Sequence, residues 1–359
     1  MADQLCGAVT AFVLYEVSEE IRLDQIRSKP AARTQEKSLK HQAPEYVGFQ
    51  HPPVVESLEP LRLERGETLS AQIKYYDYGV ISVMFERRFE GTWEQLVQLS
   101  TQWLSSSDLE RCARSLAERQ VAANLSAMAK PYKHWLVEDY FIFHLWQIAG
   151  CSSAAELMTA HGDKIAQIVR GENVALSAGE RNEVVQSSIS YYPTDVAIVG
   201  WNAAFIYDTP TGATTAIQIL EFANSQLLEF RHYDDFLDQQ LAGVYRSLEY
   251  RTGLLKRWRM RRAASQLQAT TIEVTELTER ADNAIKFLSD MFSARLYKLA
   301  AAKVGVPDYK NLVQEKLATA DQLYRFLVEE FNQTRAFVLE LTVVIILVIE
   351  LAFLFRGKS

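Results

Sequence analysis

The chain has 359 residues, 48% of them hydrophobic and 23% charged, with a formal net charge of −7 at pH 7. That length leaves room for about two domains with a sizeable core, and the acidic balance excludes a surface generally coated for nucleic acid. Only three cysteines occur, Cys6, Cys112 and Cys151, and their scatter excludes a disulfide framework and suits a reducing compartment.

The N-terminal run MADQLCGAVTAFVLYEV has no positive n-region and no cleavage site. Its apolar alternation predicts a strand over Ala8 to Val17. A short helix is expected near Glu20 to Arg27. Residues 28 to 53 hold Pro30, Pro44, Pro52 and Pro53 and read as a long loop. The β-branched and aromatic segments SAQIKYYDY and VISVMFERRF, joined at Gly79, predict a hairpin. Residues 92 to 128 read as helical from Thr92, and His134 to Ala149 as an aromatic strand. The patterns Ser153 to Glu156 and Ser177 to Glu180 are capping boxes that open two helices. SISYYPTDVAIVGWNAAFIYD predicts two short strands split near Gly200, followed by a long helix from about Thr211 to Thr214.

This order of strands and helices predicts an α+β fold with a mixed sheet and flanking helices over residues 1–210. The long helix then packs on it over 211–255. From Thr275 onward, Leu277, Ala281, Ala284, Leu288 and Met291 form a heptad stripe. After Val304-Gly305-Val306-Pro307 a second stripe runs from Leu312 to Phe331, so an antiparallel, coiled-coil-like hairpin is expected over 275–335.

Phe337 to Phe355 reads FVLELTVVIILVIELAFLF, apolar on every helical face. At 1.5 Å per residue it would span about 28 Å, close to the ~30 Å of bilayer hydrocarbon. A transmembrane helix over 337–355 is therefore expected, acting as a tail anchor in the cytoplasmic membrane with the bulk of the chain in the cytoplasm. Glu340 and Glu350 lie near its ends, where they can reach headgroups or a partner helix.

The segment KRWRMRR, within a bend expected over 256–274, gathers Lys256, Arg257, Trp258, Arg259, Arg261 and Arg262. Such a patch suits an anionic lipid surface, with Trp258 at the interface, or the phosphates of RNA. A solvated charged helix face is the bland alternative.

The chain holds no GxGxxG, P-loop, GxSxG or CxxC pair, so no catalytic residue, metal or other cofactor is assigned. The single ExxH of Glu229 and His232 falls short of the two that a carboxylate-bridged di-metal bundle needs. Tyr192, Asp195, Trp201, Asn202 and Glu221 are candidate pocket residues, because large aromatics beside Asp and Asn can line a cavity. They can equally be sheet core and turn chemistry.

The runs YYPTDVAIVGWNAAFIYD and LEFANSQLLEFRHYDDFLD, the hairpin around VGVPDYKNLVQEKL and the closing apolar segment resemble the "required for meiotic nuclear division" family, of Rmd/Sif type. The resemblance covers roughly residues 130 to 359 and is nearest a bacterial member. It implies a C-terminally anchored domain without established catalytic residues, related to mitochondrial inner-membrane proteins that support translation. Two functions are carried forward. The first is a non-enzymatic, membrane-tethered scaffold or adaptor that presents its domain to a protein, ribosome or RNA, with self-association through the hairpin and span. The second is a membrane-anchored enzyme with the pocket named above.

Overall fold

A computed structural model describes residues 4–27, 32–34, 52–62, 67–249, 262, 264–272, 274–275, 278 and 291–356. Side chains are described for these except 32–34, 330–339 and 351–356. The chain divides into two compact units: residues 1–232 with 280–309, and residues 233–279 with 310–359.

The first unit is built on a nine-stranded sheet in the order β3-β4-β5-β6-β1-β8-β11-β10-β9. Its strands are β1 (Leu5–Glu16), β3 (Ala32–Thr34), β4 (Val54–Arg62), β5 (Thr68–Tyr75), β6 (Val80–Gly91), β8 (Val137–Ile148), β9 (Ser188–Ile189), β10 (Val196–Val199) and β11 (Ala203–Tyr207). Neighbours run antiparallel except β11, which lies parallel to β8. A small second sheet pairs β2 (Ser18–Ile21) with β7 (Met128–Pro131). The expected α+β class and mixed sheet are thus what the chain adopts.

The central strand β1 is buried almost throughout, which accounts for its nearly continuous apolar run. Period-2 geometry sends its residues to opposite faces. Val9, Ala11, Val13 and Tyr15 join the main core, beneath α2 (Trp93–Ser105), α3 (Asp108–Ala123), α4 (Ala154–Arg170) and α5 (Ala178–Gln186). Thr10, Phe12, Leu14 and Glu16, also buried, face the other way. There α6 (Ala213–Glu249) bonds to the sheet through Glu221 and Lys74, Ser225 and Tyr78, and Arg231 and Glu138.

The three cap side chains accept as expected, but the full reciprocal box is at Thr92, while the Glu156 carboxylate reaches Ser152 instead of the Ser153 amide. Thr92 accepts from the Gln95 amide while the Gln95 side chain accepts from the Thr92 amide, and Ser153 and Ser177 accept from Glu156 and Glu180. The helical stretch expected over 92–128 breaks at Ser106 and Ser107 into α2 and α3. The helix expected near Glu20 begins later, as α1 (Leu23–Arg27), because Ser18–Ile21 pairs as a strand. The strand β4 was not anticipated. Its Pro60 lies where the pairing with β5 shifts register between Leu58 and Leu61, at a position that has no ladder donor to lose.

In the second unit the buried residues Leu241 and Val244 of α6, Ala264 and Leu267, and Ala320 and Leu327 form a core of their own. Lys316 joins Asp234 at 2.6 Å and Asp238 at 2.7 Å. The chain breaks at Gly305, which takes φ +96 between α7 (Met291–Val304) and α8 (Val306–Arg356). The expected Gly-Pro turn is therefore a single-residue break. The two arms fall largely to different units: 291–304 to the first, and 310 onward to the second. Leu277, Ala281, Ala284 and Leu288 of the first stripe lie outside the described residues, as do Lys256, Arg257, Trp258, Arg259 and Arg261. Arg262 is helical and exposed.

The expected transmembrane helix is overturned. Among the described residues no helix is long and apolar enough to cross a membrane. The uncharged run between Glu340 and Glu350 is nine residues long, Leu341 to Ile349. At 1.5 Å per residue those nine cover about 14 Å, less than half of a ~30 Å hydrocarbon layer. The reading of a single-pass tail anchor, and of a membrane protein on that ground, is corrected accordingly.

Gly79 closes the β5–β6 hairpin at φ +97, and a Cβ there would lie 1.8 Å from the Ser18 carbonyl oxygen. Gly79→Ala is expected to lower stability by about 2 kcal/mol or more, read as a reduced midpoint in urea denaturation at unchanged slope.

Candidate functional site

The segment Tyr191 to Asp195, between β9 and β10, forms a pinned turn. Both oxygens of the Asp195 carboxylate accept backbone amides: Oδ1 from Tyr191 at 2.7 Å and Oδ2 from Tyr192 at 2.9 Å. The Ser190 hydroxyl donates to the Tyr192 carbonyl at 2.7 Å. The Pro193 carbonyl accepts the Ala154 amide at the start of α4 at 2.8 Å. An aspartate bonding back to its own turn is common loop chemistry, but here it holds two aromatic rings in the open. Tyr191 and Tyr192 are 63% and 62% exposed. Their rings meet edge-on at 4.7 Å, and Tyr191 meets Phe292 at 5.4 Å.

Beside this turn lies a cavity of about 470 Å³ whose lining includes Tyr192, Asp195, Tyr207, Asp208, Thr215 and Phe292. Asp208 sits where β11 ends. Its carboxylate accepts the Thr209 amide at 2.6 Å, and its carbonyl meets His144 Nε2 at 2.9 Å. Burial, and then the charge of Asp195 across the cavity, hold the Asp208 carboxyl above its ordinary range. Burial pushes His144 down, so it stays a neutral ring at neutral pH.

The five candidate pocket residues do not converge. Tyr192 and Asp195 share this cavity. Trp201 and Asn202 line a separate hollow of about 320 Å³ with Leu104, Val169 and Arg170, where the Asn202 carbonyl accepts the Phe141 amide at 2.9 Å. Glu221 lines a third space, between α6 and the sheet. No group of three or more His, Cys, Asp or Glu side chains with metal-holding geometry occurs among the described residues.

Under α6, helical spacing aligns Glu221, Ser225, Glu229 and His232 along one face. Glu16 at the end of β1 hydrogen-bonds to Glu229, and both are almost completely buried. Burial, then the Glu229 charge, raise Glu16 well above the carboxylate range. Burial pushes Glu229 up to about 8, with a further rise from Asp77. Two adjoining buried carboxyls cannot both ionise, so the pair retains a proton at neutral pH. His232 stacks on Tyr132 at 4.5 Å, and burial pushes it down to about 4. Burial was not visible from helix periodicity alone, because polar residues occupy the sheet-facing stripe.

A family model described as "Uncharacterized protein MJ0711, N-terminal domain" matches residues 6–214. The chain belongs to this family. The match begins in β1 and ends in the first turn of α6, so the whole nine-stranded sheet with α1 to α5 is the family's domain. The chain is 21% identical over 170 residues to "Uncharacterized protein MJ0711" of Methanocaldococcus jannaschii, a stretch that covers 47% of this chain and 52% of that protein. The chain thus spans about half the length of this relative. No solved structure matches. None of these matches bears on the resemblance to the "required for meiotic nuclear division" proteins.

The carboxyl pair fixes a pH dependence. A folded-state pKa raised above the unfolded value gives stability that is fully present below the unfolded pKa and is lost as pH rises through the folded one. For Glu229 that window runs from the ordinary 4.5 to about 8, and Glu16, raised well above 4.5, acts in the same direction. His232, lowered from 6.5 to about 4, works oppositely, but only below about its ordinary value. Between pH 6.5 and 8, stability is expected to fall by up to about 1.4 kcal/mol per pH unit, the slope for one proton. Urea titrations across that range should show the fall, and in the double variant Glu16→Gln/Glu229→Gln, which leaves neither carboxyl to titrate, it should flatten.

Proposed function

We propose that the sheet domain is a non-enzymatic binding module, an adaptor that takes hold of a protein partner at the Tyr191–Asp195 turn. The observation that carries this reading is the double amide grip of Asp195, which orders two exposed tyrosines before any partner arrives. Exposed Tyr side chains on a backbone that is already fixed supply large contact area without the cost of ordering the loop. Asp195 and Asp208 beside them favour a segment carrying Lys or Arg, whose cation can also lie over a tyrosine ring. The same two carboxylates disfavour RNA at this face, because phosphate contact asks for cations. The basic run from Lys256 to Arg261 lies outside the described residues, and nothing in this reading depends on it.

An enzyme at the pocket is the weaker reading. The five residues named for it line three separate spaces, whereas catalysis needs its groups within hydrogen-bond reach of one reacting atom.

The test is a crosslinking pull-down from cells expressing the full chain or Tyr191→Ala/Tyr192→Ala, with partners quantified. The double variant is expected to fold as the parent does and to lose most of its specific partner. Asp195→Ala, which keeps the rings and releases the turn, is expected to weaken capture to a lesser degree. Equal recovery from parent and double variant would overturn the proposal.

A further inference from the structure

On the sheet face under the start of α6 lies a cavity of about 600 Å³, separate from the tyrosine turn and independent of the function proposed there. At one end Lys74 pairs with Glu221, whose side chain is 2% exposed. Lys74 takes Oε2. The Tyr76 phenol also hydrogen-bonds to the Glu221 carboxylate, yet Oε1 itself is buried with no partner in hydrogen-bonding geometry. A buried carboxylate oxygen left without a donor is costly, and this one lines an open space.

The register of the sheet places the other end. Lys74 pairs with Ser82, and Arg88 lies six residues further along β6, level with Ala8 and through it with His144. At ~3.4 Å per residue the two ends are about 20 Å apart. Arg88 lines the cavity and is exposed, with no ion pair among the described residues. Between the ends the lining includes Phe12, Met84 and Ile217.

From this arrangement we infer that the cavity binds a hydroxylated medium-chain carboxylic acid, its hydroxyl at Glu221 and Lys74 and its carboxylate at Arg88. A hydroxyl suits the inner end because it donates to Oε1 and accepts from a remaining Lys74 N–H in one step. An ammonium would add a second buried cation to a carboxylate that already has one. At the outer end a guanidinium matches a carboxylate with two parallel hydrogen bonds. Glu86, two residues from Arg88 on the same face and also lining the cavity, works against a multiply charged anion. The apolar residues between the ends fit a hydrocarbon body.

Isothermal titration of the full chain with 12-hydroxydodecanoate, dodecanoate and 1,12-dodecanediol tests this. The hydroxy acid is expected to bind; dodecanoate should bind about tenfold more weakly because it leaves the buried Glu221 oxygen unmatched, and the diol about tenfold more weakly because it gives up the paired guanidinium–carboxylate hydrogen bonds at Arg88. Arg88→Gln, a surface change, should abolish the advantage of the hydroxy acid over the diol. Glu221→Gln should abolish its advantage over dodecanoate. Should Glu221→Gln fail to fold, Ile217→Trp blocks the middle of the cavity and should prevent binding of all three. Equal affinity for the three probes, no binding of any of them, or an unchanged hydroxy acid to diol ratio in Arg88→Gln would overturn the inference.

Discussion

A helix that lays charged residues on a sheet must place each of them opposite a partner. In this domain α6 meets that constraint with Glu221 on Lys74, Ser225 on Tyr78, Glu229 on Glu16 and Arg231 on Glu138. Apolar packing tolerates small slippage, because any buried methyl group is much like another. A buried carboxylate tolerates none, since rotating α6 by one residue would strand several ions at once in a medium of low dielectric. The polar stripe therefore selects one seat for the helix, whereas the apolar face under α2 to α5 supplies most of the burial.

That division of labour separates the two surfaces on which binding is argued. The turn at Tyr191 to Asp195 stands outside the packed layers, ordered by hydrogen bonds within itself and to α4. Changes to its rings leave the core untouched. The space under α6 is part of the packed interior at its Glu221 end and open at its Arg88 end, so occupancy there is coupled to how α6 sits.

How much of this is legible in the sequence differs by kind of signal. Short-range chemistry reads well: Thr92, Ser153 and Ser177 cap the helices their spacing announces, and Gly79 closes the expected hairpin. β4 escapes because Pro60 and Glu56 break its alternation, and Glu56 is buried where it accepts from Tyr75. The five pocket candidates are neighbours in sequence or type, but sheet order distributes them. Trp201 and Asn202 lie at the opposite strand ends from Tyr207 and Asp208, and only pairing across strands fixes that. The apolar C-terminal run illustrates the reverse error, in which hydrophobicity over a window overrides the two glutamates that divide it.

At one flank the sheet ends in the dipeptide Ser188–Ile189. A rim that offers two residues gives a second chain too few backbone donors and acceptors to extend the array there. Nine strands of largely aliphatic and aromatic character would otherwise invite stacking into fibres. Lengthening the dipeptide flank, rather than altering the interior, is where such association would begin.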